Sequence, residues 1–363
     1  PLLAILACSK GDGTFEGIAE KISKKFAIIF TSVLFLSIGP LLAVPRTAAT
    51  TFEVSINPFF PAIPAWVVIL AYFIINIVLV LKRSSIIDTI GKFLTPALII
   101  ILVVLIIKGI FMPIGTISQN NDTGVFAYSL LEGYQTMDAL AALLFAAIIT
   151  SSIKNKGYKG KEMSKVLLIG SLVAVIGLAF VYGGITYIGA QTSGLVSGDI
   201  NKTSLLVLIA KNVLGSAGPI LIGVAMALAC LTTSIGLITA GADYFETITK
   251  GKLSYKFNVL AISIVSFTVA LLGVDNIVVF SAPILNLLYP VSITIIVFAL
   301  LHKHIKIKAG RLGVYTSLVF SILLLIPGLN LNFLPLASIG FGWLLPTALA
   351  MIIGQLVFKN ENK

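Results

Sequence analysis

The sequence predicts an all-α fold, a polytopic bundle of membrane-spanning helices. Three observations carry this. Hydrophobic residues make up 58% of the chain and charged residues only 11%, and a mean hydropathy of +1.08 exceeds what a water-facing surface tolerates. Apolar runs recur at about 20 residues, the length a helix needs to cross a hydrocarbon core about 30 Å thick. The runs are continuous, without the short alternating pattern of a membrane β-barrel.

Taken in order, Pro1–Cys8 reads as the tail of a partial first span, and a start inside an apolar run reads as the cut end of a longer chain. Ser9–Lys25 is a polar loop whose FEGIAEKISKKF portion has amphipathic spacing and is expected to lie along the membrane surface. A span follows at Phe26–Val44. Gly39, Pro40 and Pro45 interrupt its second half, and the helix is expected to continue past Arg46 towards Asn57. Further spans are expected at Pro64–Leu81, Thr95–Phe111, Leu130–Ser152, Val166–Ile188, Pro219–Phe245, Phe257–Gly273, Ile277–Leu301, Leu312–Ile326 and Ser338–Phe358. That makes ten full spans in a single transmembrane domain covering 1–363. Gly170, Gly177 and Gly184, spaced by seven, form a stripe suited to close contact with a neighbouring helix. The segment 189–216 contains an apolar run of its own and reads as a hairpin or short helix capping the bundle. Pro283, Asn286 and Pro290 mark a kinked helix.

Alternating the spans gives a test of this layout. All but Arg46, Lys108, Lys202 and Lys211 of the 25 Lys and Arg residues fall on one side. That asymmetry marks the cytoplasmic face, so the C-terminus is cytoplasmic and the protein is a multi-pass plasma-membrane protein in contact with the lipid bilayer. The net charge of +11 therefore reports orientation, and no nucleic-acid partner is expected. Two Asn-X-Thr sequons, at Asn121 and Asn201, fall outside. Cys8 and Cys230 lie in apolar spans and read as small hydrophobic residues. His302 and His304 share a basic loop with no carboxylate beside them. No phosphate loop, Ser-His-Asp set or organic cofactor signature is present, so an enzyme is not expected.

The polar residues inside the spans are where function would lie. Glu132, Gly133, Tyr134, Gln135, Thr136 and Asp138 crowd the outer end of an otherwise apolar helix. A carboxylate at mid-membrane costs about 2.5–3.5 kcal/mol on insertion scales. The cluster has two readings, a loop ending at the interface or a broken helix that offers its backbone to a substrate. Thr232, Thr233 and Ser234 form a second cluster at mid-span. Such hydroxyls bond back to their own helix, or they serve as neutral oxygen ligands. In the latter case Ala229, Thr232 and Thr233, one turn apart, bring a carbonyl and two hydroxyls to one Na⁺. Arg46 and Glu53, seven apart, share a face if the helix continues, as a structural ion pair or a gate. Asp243 and Glu246 are expected to neutralise nearby lysines.

Three segments carry a resemblance: GPLLAVPRTAATTFEVSI, GYQTMDALAALLFAAII and ACLTTSIGLITAGADYF. In order and spacing they resemble the bacterial branched-chain amino acid:cation symporters, the system II carriers, over essentially the whole chain. The resemblance implies import of leucine, isoleucine and valine by symport with Na⁺ as coupling ion, H⁺ being the alternative. It also implies a LeuT-type fold of two inverted five-helix repeats, here N-terminally truncated and lacking its first helix. On that reading Glu132–Asp138 borders the substrate, and Ala229, Thr232 and Thr233 form part of the Na⁺ site. The competing readings are an H⁺-coupled carrier using Glu132 or Asp138, a carrier of another small amino acid, an ion channel, and a non-transporting remnant.

Overall fold

A computed structural model describes residues 1–82, 86–118, 124–196, 200–329, 331 and 333–358, with side chains left undescribed at 86–94. Asn121, Arg83, Lys359 and Lys363 lie outside the described residues, as do the side chains of Asp88 and Lys92. Among the described residues the regular structure is entirely helical. In chain order the helices are α1 (Leu2–Ser9), α2 (Phe15–Ala19), α3 (Lys24–Leu36), α4 (Val44–Thr50), α5 (Ala65–Leu81), α6 (Ile86–Phe111), α7 (Val125–Glu132) and α8 (Asp138–Asn155). They continue with α9 (Gly160–Gln191), α10 (Lys202–Leu214), α11 (Gly218–Ile248), α12 (Tyr255–Ala270), α13 (Val274–Leu300), α14 (Ile307–Leu325) and α15 (Leu344–Val357).

Each apolar run marked out as a span is helical. Among the described residues six helical stretches are long and apolar enough to cross a membrane, and four shorter apolar helices accompany them. Several boundaries shift from expectation, and two of the shifts have a local cause. The helix expected from Ser338 begins at Leu344, because Leu336 (φ 66°) and Gly340 (φ 80°) take left-handed conformations that no helix continues through. Between α1 and α3 only Phe15–Ala19 is helical, capped by Thr14, whose hydroxyl accepts from the Gly17 N–H at 2.9 Å.

The expected interruption at Gly39, Pro40 and Pro45 takes a specific form. The helix does not stop. It widens into π-turns at Ser37–Ala43 and again at Thr51–Ile56. Proline has no N–H, and its ring clashes with the carbonyl four residues back in an α-turn, so a wider turn relieves both problems. The Val44 amide bonds five residues back to the Gly39 carbonyl. The Pro40 carbonyl, which Val44 would serve in an α-turn and Pro45 cannot serve at all, receives the Ser266 hydroxyl at 3.4 Å.

The chain divides into two compact units. One comprises Pro1–Phe35, Asp122–Val175 and Phe280–Lys363; the other comprises Leu36–Asn121 and Ile176–Val279. In the first, α14 and α15 pack through small residues. A Cβ on Gly354 would lie 2.8 Å from the Ala309 Cα, and a side chain on Gly313 would collide with Met351. The helices α1 and α2 pack on α8, where the Thr150 hydroxyl donates to the Gly13 carbonyl at 3.4 Å. In the second unit α11 is central, packed against α4, α5, α6, α10, α12 and the 51–56 turn. Its apolar core gathers Val54, Leu105, Ile106, Ile188, Ile209, Ala210, Val213 and Ile222, all nearly fully buried, where close packing takes the place of contact with lipid.

The glycine stripe behaves differently at its three positions. Gly184 meets Ile106, 2.5 Å from where its Cβ would be, whereas Gly170 and Gly177 face open space. Spacing by seven makes a stripe, but only the part opposite a neighbour becomes a contact.

Candidate functional site

In the first unit the helix expected at Leu130–Ser152 is broken within the expected cluster. The helix α7 ends at Glu132, Gly133–Thr136 forms one 3₁₀ turn, Met137 is left-handed (φ 58°, ψ 6°), and α8 starts at Asp138. A non-glycine residue in this conformation costs about 1–2 kcal/mol, so surrounding structure must hold it. Met137 itself is buried at 4% exposure. Its amide donates to the Tyr134 carbonyl at 3.0 Å, and its carbonyl accepts from the Ala141 amide at 2.8 Å. The Thr136 hydroxyl closes the turn by donating to the Gly133 carbonyl at 2.9 Å.

The break is also braced from outside. The Tyr134 ring lies flat on Tyr289 of α13, with centroids 4.0 Å apart and planes 6° from parallel, and meets the edge of Phe341 at 6.3 Å. The Gln135 Oε1 accepts from the Ser281 hydroxyl at 2.7 Å. Leu131 fills the space beside Gly340. Glu132, Tyr134, Gln135 and Asp138 are half-buried, and Gly133 and Thr136 are exposed. The Tyr134 Oη is buried without a hydrogen-bond partner among the described residues.

The chemistry offered here is that of helix ends. The first amides of α8 have no partner within their own helix, and the aligned dipoles make that end positive. The last carbonyls of α7 and of the 3₁₀ turn make the opposite end negative. Amides and carbonyls thus flank one interruption, as required to hold a group carrying both charges.

The second unit holds the remaining candidates. On α11 the Thr232 hydroxyl donates to the Ala229 carbonyl at 2.9 Å, Thr233 is exposed, and Ser234 is fully buried. The hydroxyl thus makes the bond back to its own helix that a mid-span threonine ordinarily makes. Glu53, on the 51–56 π-turn, uses its two oxygens separately. Oε2 accepts from the Thr203 hydroxyl at 2.7 Å, and Oε1 accepts from the Val274 amide at 2.9 Å. Arg46 lies seven residues earlier, on α4.

Sequence reasoning missed several of these partners. Tyr289, Ser281 and Phe341 brace the break from positions far along the chain. In the second unit the Tyr72 hydroxyl of α5 faces Thr47, Ser234 and Asn76. Polar residues in otherwise apolar spans were the available signal, and they were passed over singly. Asn201, one of the two sequon residues, caps α10 by accepting from the Ser204 amide at 2.7 Å. Glu246, expected to neutralise lysines, accepts from the Tyr255 amide at 2.9 Å at the start of α12, an end that always offers free amides.

Outside the spans, His302 titrates below the ordinary histidine range. Partial burial is the main cause, followed by the charge of Lys21, with Lys10 and Lys303 adding to it against a hydrogen bond from the ring to the Ala299 carbonyl.

Comparison with known proteins gives one consistent result. A family model described as "Branched-chain amino acid transport protein" matches residues 1–361. The chain is 35% identical to the branched-chain amino acid permease BraB of Bacillus subtilis (strain 168), over 98% of this chain and 84% of that protein. It is 35% identical to a putative branched-chain amino acid carrier protein of Staphylococcus aureus (strain USA300), over 98% of this chain and 86% of that one. A putative carrier of the same name from strain bovine RF122 is 36% identical over the same shares.

Proposed function

The chain belongs to the branched-chain amino acid transport protein family, and from that premise we propose that it imports leucine, isoleucine and valine across the bacterial plasma membrane by symport with Na⁺. The observation that supports this most is the helix interruption between Glu132 and Asp138, with its left-handed Met137. In this reading the first amides of α8 take the substrate carboxylate, and the carbonyls ending α7 and the 3₁₀ turn take its ammonium group. The aliphatic side chain enters an apolar pocket. A backbone arrangement of this kind suits any zwitterionic amino acid, so preference among leucine, isoleucine and valine rests with the side-chain pocket.

Na⁺ is held, in the same proposal, by the Ala229 carbonyl with the Thr232 and Thr233 hydroxyls, neutral oxygens of the kind hard cations accept. Coupling then requires only that bound Na⁺ favour the substrate-competent state through a difference in affinity. The arrangement fits the LeuT-type scheme, in which broken helices carry the site at the membrane midplane.

Uptake of radiolabelled leucine into proteoliposomes, under an imposed Na⁺ gradient or a pH gradient, tests the proposal. Uptake that depends on the Na⁺ gradient and is competed by isoleucine and valine is the expected result. Uptake driven by the pH gradient alone moves coupling to H⁺ and to Glu132 or Asp138. Saturable uptake of neither leucine, isoleucine nor valine overturns the reading.

A further inference from the structure

Glu53 joins three elements of the second unit through one carboxylate. It sits on the π-turn Thr51–Ile56. Oε2 takes the hydroxyl of Thr203, in the first turn of α10, and Oε1 takes the amide of Val274, the first residue of α13. Gly273 precedes Val274 at φ 79°, and a Cβ there would lie 3.3 Å from the same Oε1. Both donors are buried, Thr203 at 7% and Val274 at 4% exposure. A carboxylate between two helix starts satisfies an orphan amide and is favoured by both dipoles. The Thr203 hydroxyl also lies 3.1 Å from the Asn201 Oδ1, so Glu53 offers the shorter bond.

The helix this clip holds is a short one. With 13 residues, α10 is near the limit below which an isolated helix is marginal. Its inward face joins the core through Ile209, Ala210 and Val213, with Leu205 and Leu206 packed against the same cluster. Its N-terminal end is fastened by Thr203 on Glu53. The charge asymmetry of the sequence puts the 45–64, 189–216 and 273–276 connections on the same, extracytoplasmic side. One acid thus fastens an outer segment across two others.

We infer that Glu53 is the clip that holds α10, the outer cap helix, in place, and that it serves transport as a positioning residue through α10 without touching substrate. The part concerning transport rests on the function proposed above; the clip itself does not. Glutamine keeps one acceptor oxygen but turns an NH₂ group towards one of the two donors, so it preserves half the arrangement. Alanine removes it all.

The test uses the full chain in whole cells, with Cys8 and Cys230 changed to alanine and a reporter thiol introduced as Ile209→Cys, a position 3% exposed on the inner side of α10. A membrane-impermeant maleimide added outside labels it only when α10 lifts. Loss of a charge-assisted hydrogen bond makes such an opening about tenfold more populated or more. Glu53→Ala is expected to speed labelling by about that factor, and Thr203→Val, which keeps the shape, by a smaller one. The double variant is expected to label no more than about twofold faster than Glu53→Ala, since both remove one interaction. If Glu53→Ala does not reach the membrane, Thr203→Val alone carries the comparison.

Labelling unchanged in these variants overturns the clip. Leucine uptake is read in parallel without the reporter. A fall in maximal rate with KM held within about twofold fits a positioning role, because binding is spared. A raised KM with unchanged labelling makes Glu53 a substrate ligand and overturns the inference. If the unmodified protein takes up no branched-chain amino acid, the transport reading fails while the labelling still decides the clip.

Discussion

Tyr134 and Tyr289 lie ring on ring, 4.0 Å apart between centroids and 6° from parallel, and this stack joins the interrupted helix to α13. The stack combines close contact between two large rings with the attraction of their quadrupoles. Tyr134 stands three residues before the left-handed Met137, whose amide bonds to the Tyr134 carbonyl. Anything that frees the ring also frees the turn. Tyr289→Ala is expected to cost about 3–5 kcal/mol of local stability and to reduce leucine uptake at least about tenfold, the factor that a loss of 1.4 kcal/mol already gives. Tyr289→Phe keeps the stack and most of the uptake. Initial rates at matched surface expression check both.

Thr232 separates a bond made for the helix from a bond made for an ion. If the hydroxyl serves only the Ala229 carbonyl, Thr232→Ala changes stability by under about 1 kcal/mol and leaves ion dependence alone. As a Na⁺ ligand it is expected to raise the Na⁺ concentration for half-maximal uptake by about tenfold or more, while Thr232→Ser restores it. Uptake titrated with Na⁺ at constant ionic strength reads the difference.

Two glycines on the same stripe predict opposite outcomes. At Gly184 a Cβ would press on Ile106 at 2.5 Å, so Gly184→Ala is expected to destabilise by about 1–3 kcal/mol. Gly177 faces open space, so Gly177→Ala is expected to be neutral or to stabilise by up to about 1 kcal/mol through helix propensity. Thermal unfolding in detergent, followed by tryptophan fluorescence, compares the two.

His302 predicts a pH effect of known sign. Burial and the Lys21 charge lower its folded pKa below the ordinary value. The folded state thus binds fewer protons than the unfolded state as pH falls through and below about 6.5. Stability is fully present above that range and declines below it. Lys21→Ala is expected to raise the His302 midpoint, and high salt to raise it in the unmodified protein by screening. An NMR titration of labelled histidine, with His302→Gln for assignment, measures both shifts.

The helical architecture and the location of the break were legible in the sequence because both rest on local chemistry. Apolar runs of spanning length announce helices, and a run from Glu132 to Asp138 inside one announces a defect. The residue that bends the chain was not legible. Met137 has no intrinsic preference for a left-handed conformation, and its position depends on contacts with residues such as Tyr289 in α13. The partners of Glu53 were hidden for a related reason. Spacing along one helix points only to neighbours such as Arg46, whereas Thr203 and Val274 stand 150 and 221 positions away. The hydroxyl of Thr232 was legible as an alternative, since a bond to its own helix was one of its two readings.

The widened turns at Ser37–Ala43 and Thr51–Ile56 make this helix a place where chain length can change by one. A π-turn is an α-helix that has accommodated an extra residue. Deleting one residue from 37–43 would let the helix close to regular α-turns. Because the wider turn takes up the extra residue locally, the residues beyond it would keep nearly their present facing. Glu53 would stay beside Thr203 and Val274, and Ser55 beside the Gly223 carbonyl that it reaches at 2.6 Å. When relatives are aligned, a one-residue gap at 37–43 therefore preserves the helix face beyond it, whereas the same gap in the regular turns of Val44–Thr50 would rotate that face by about 100°.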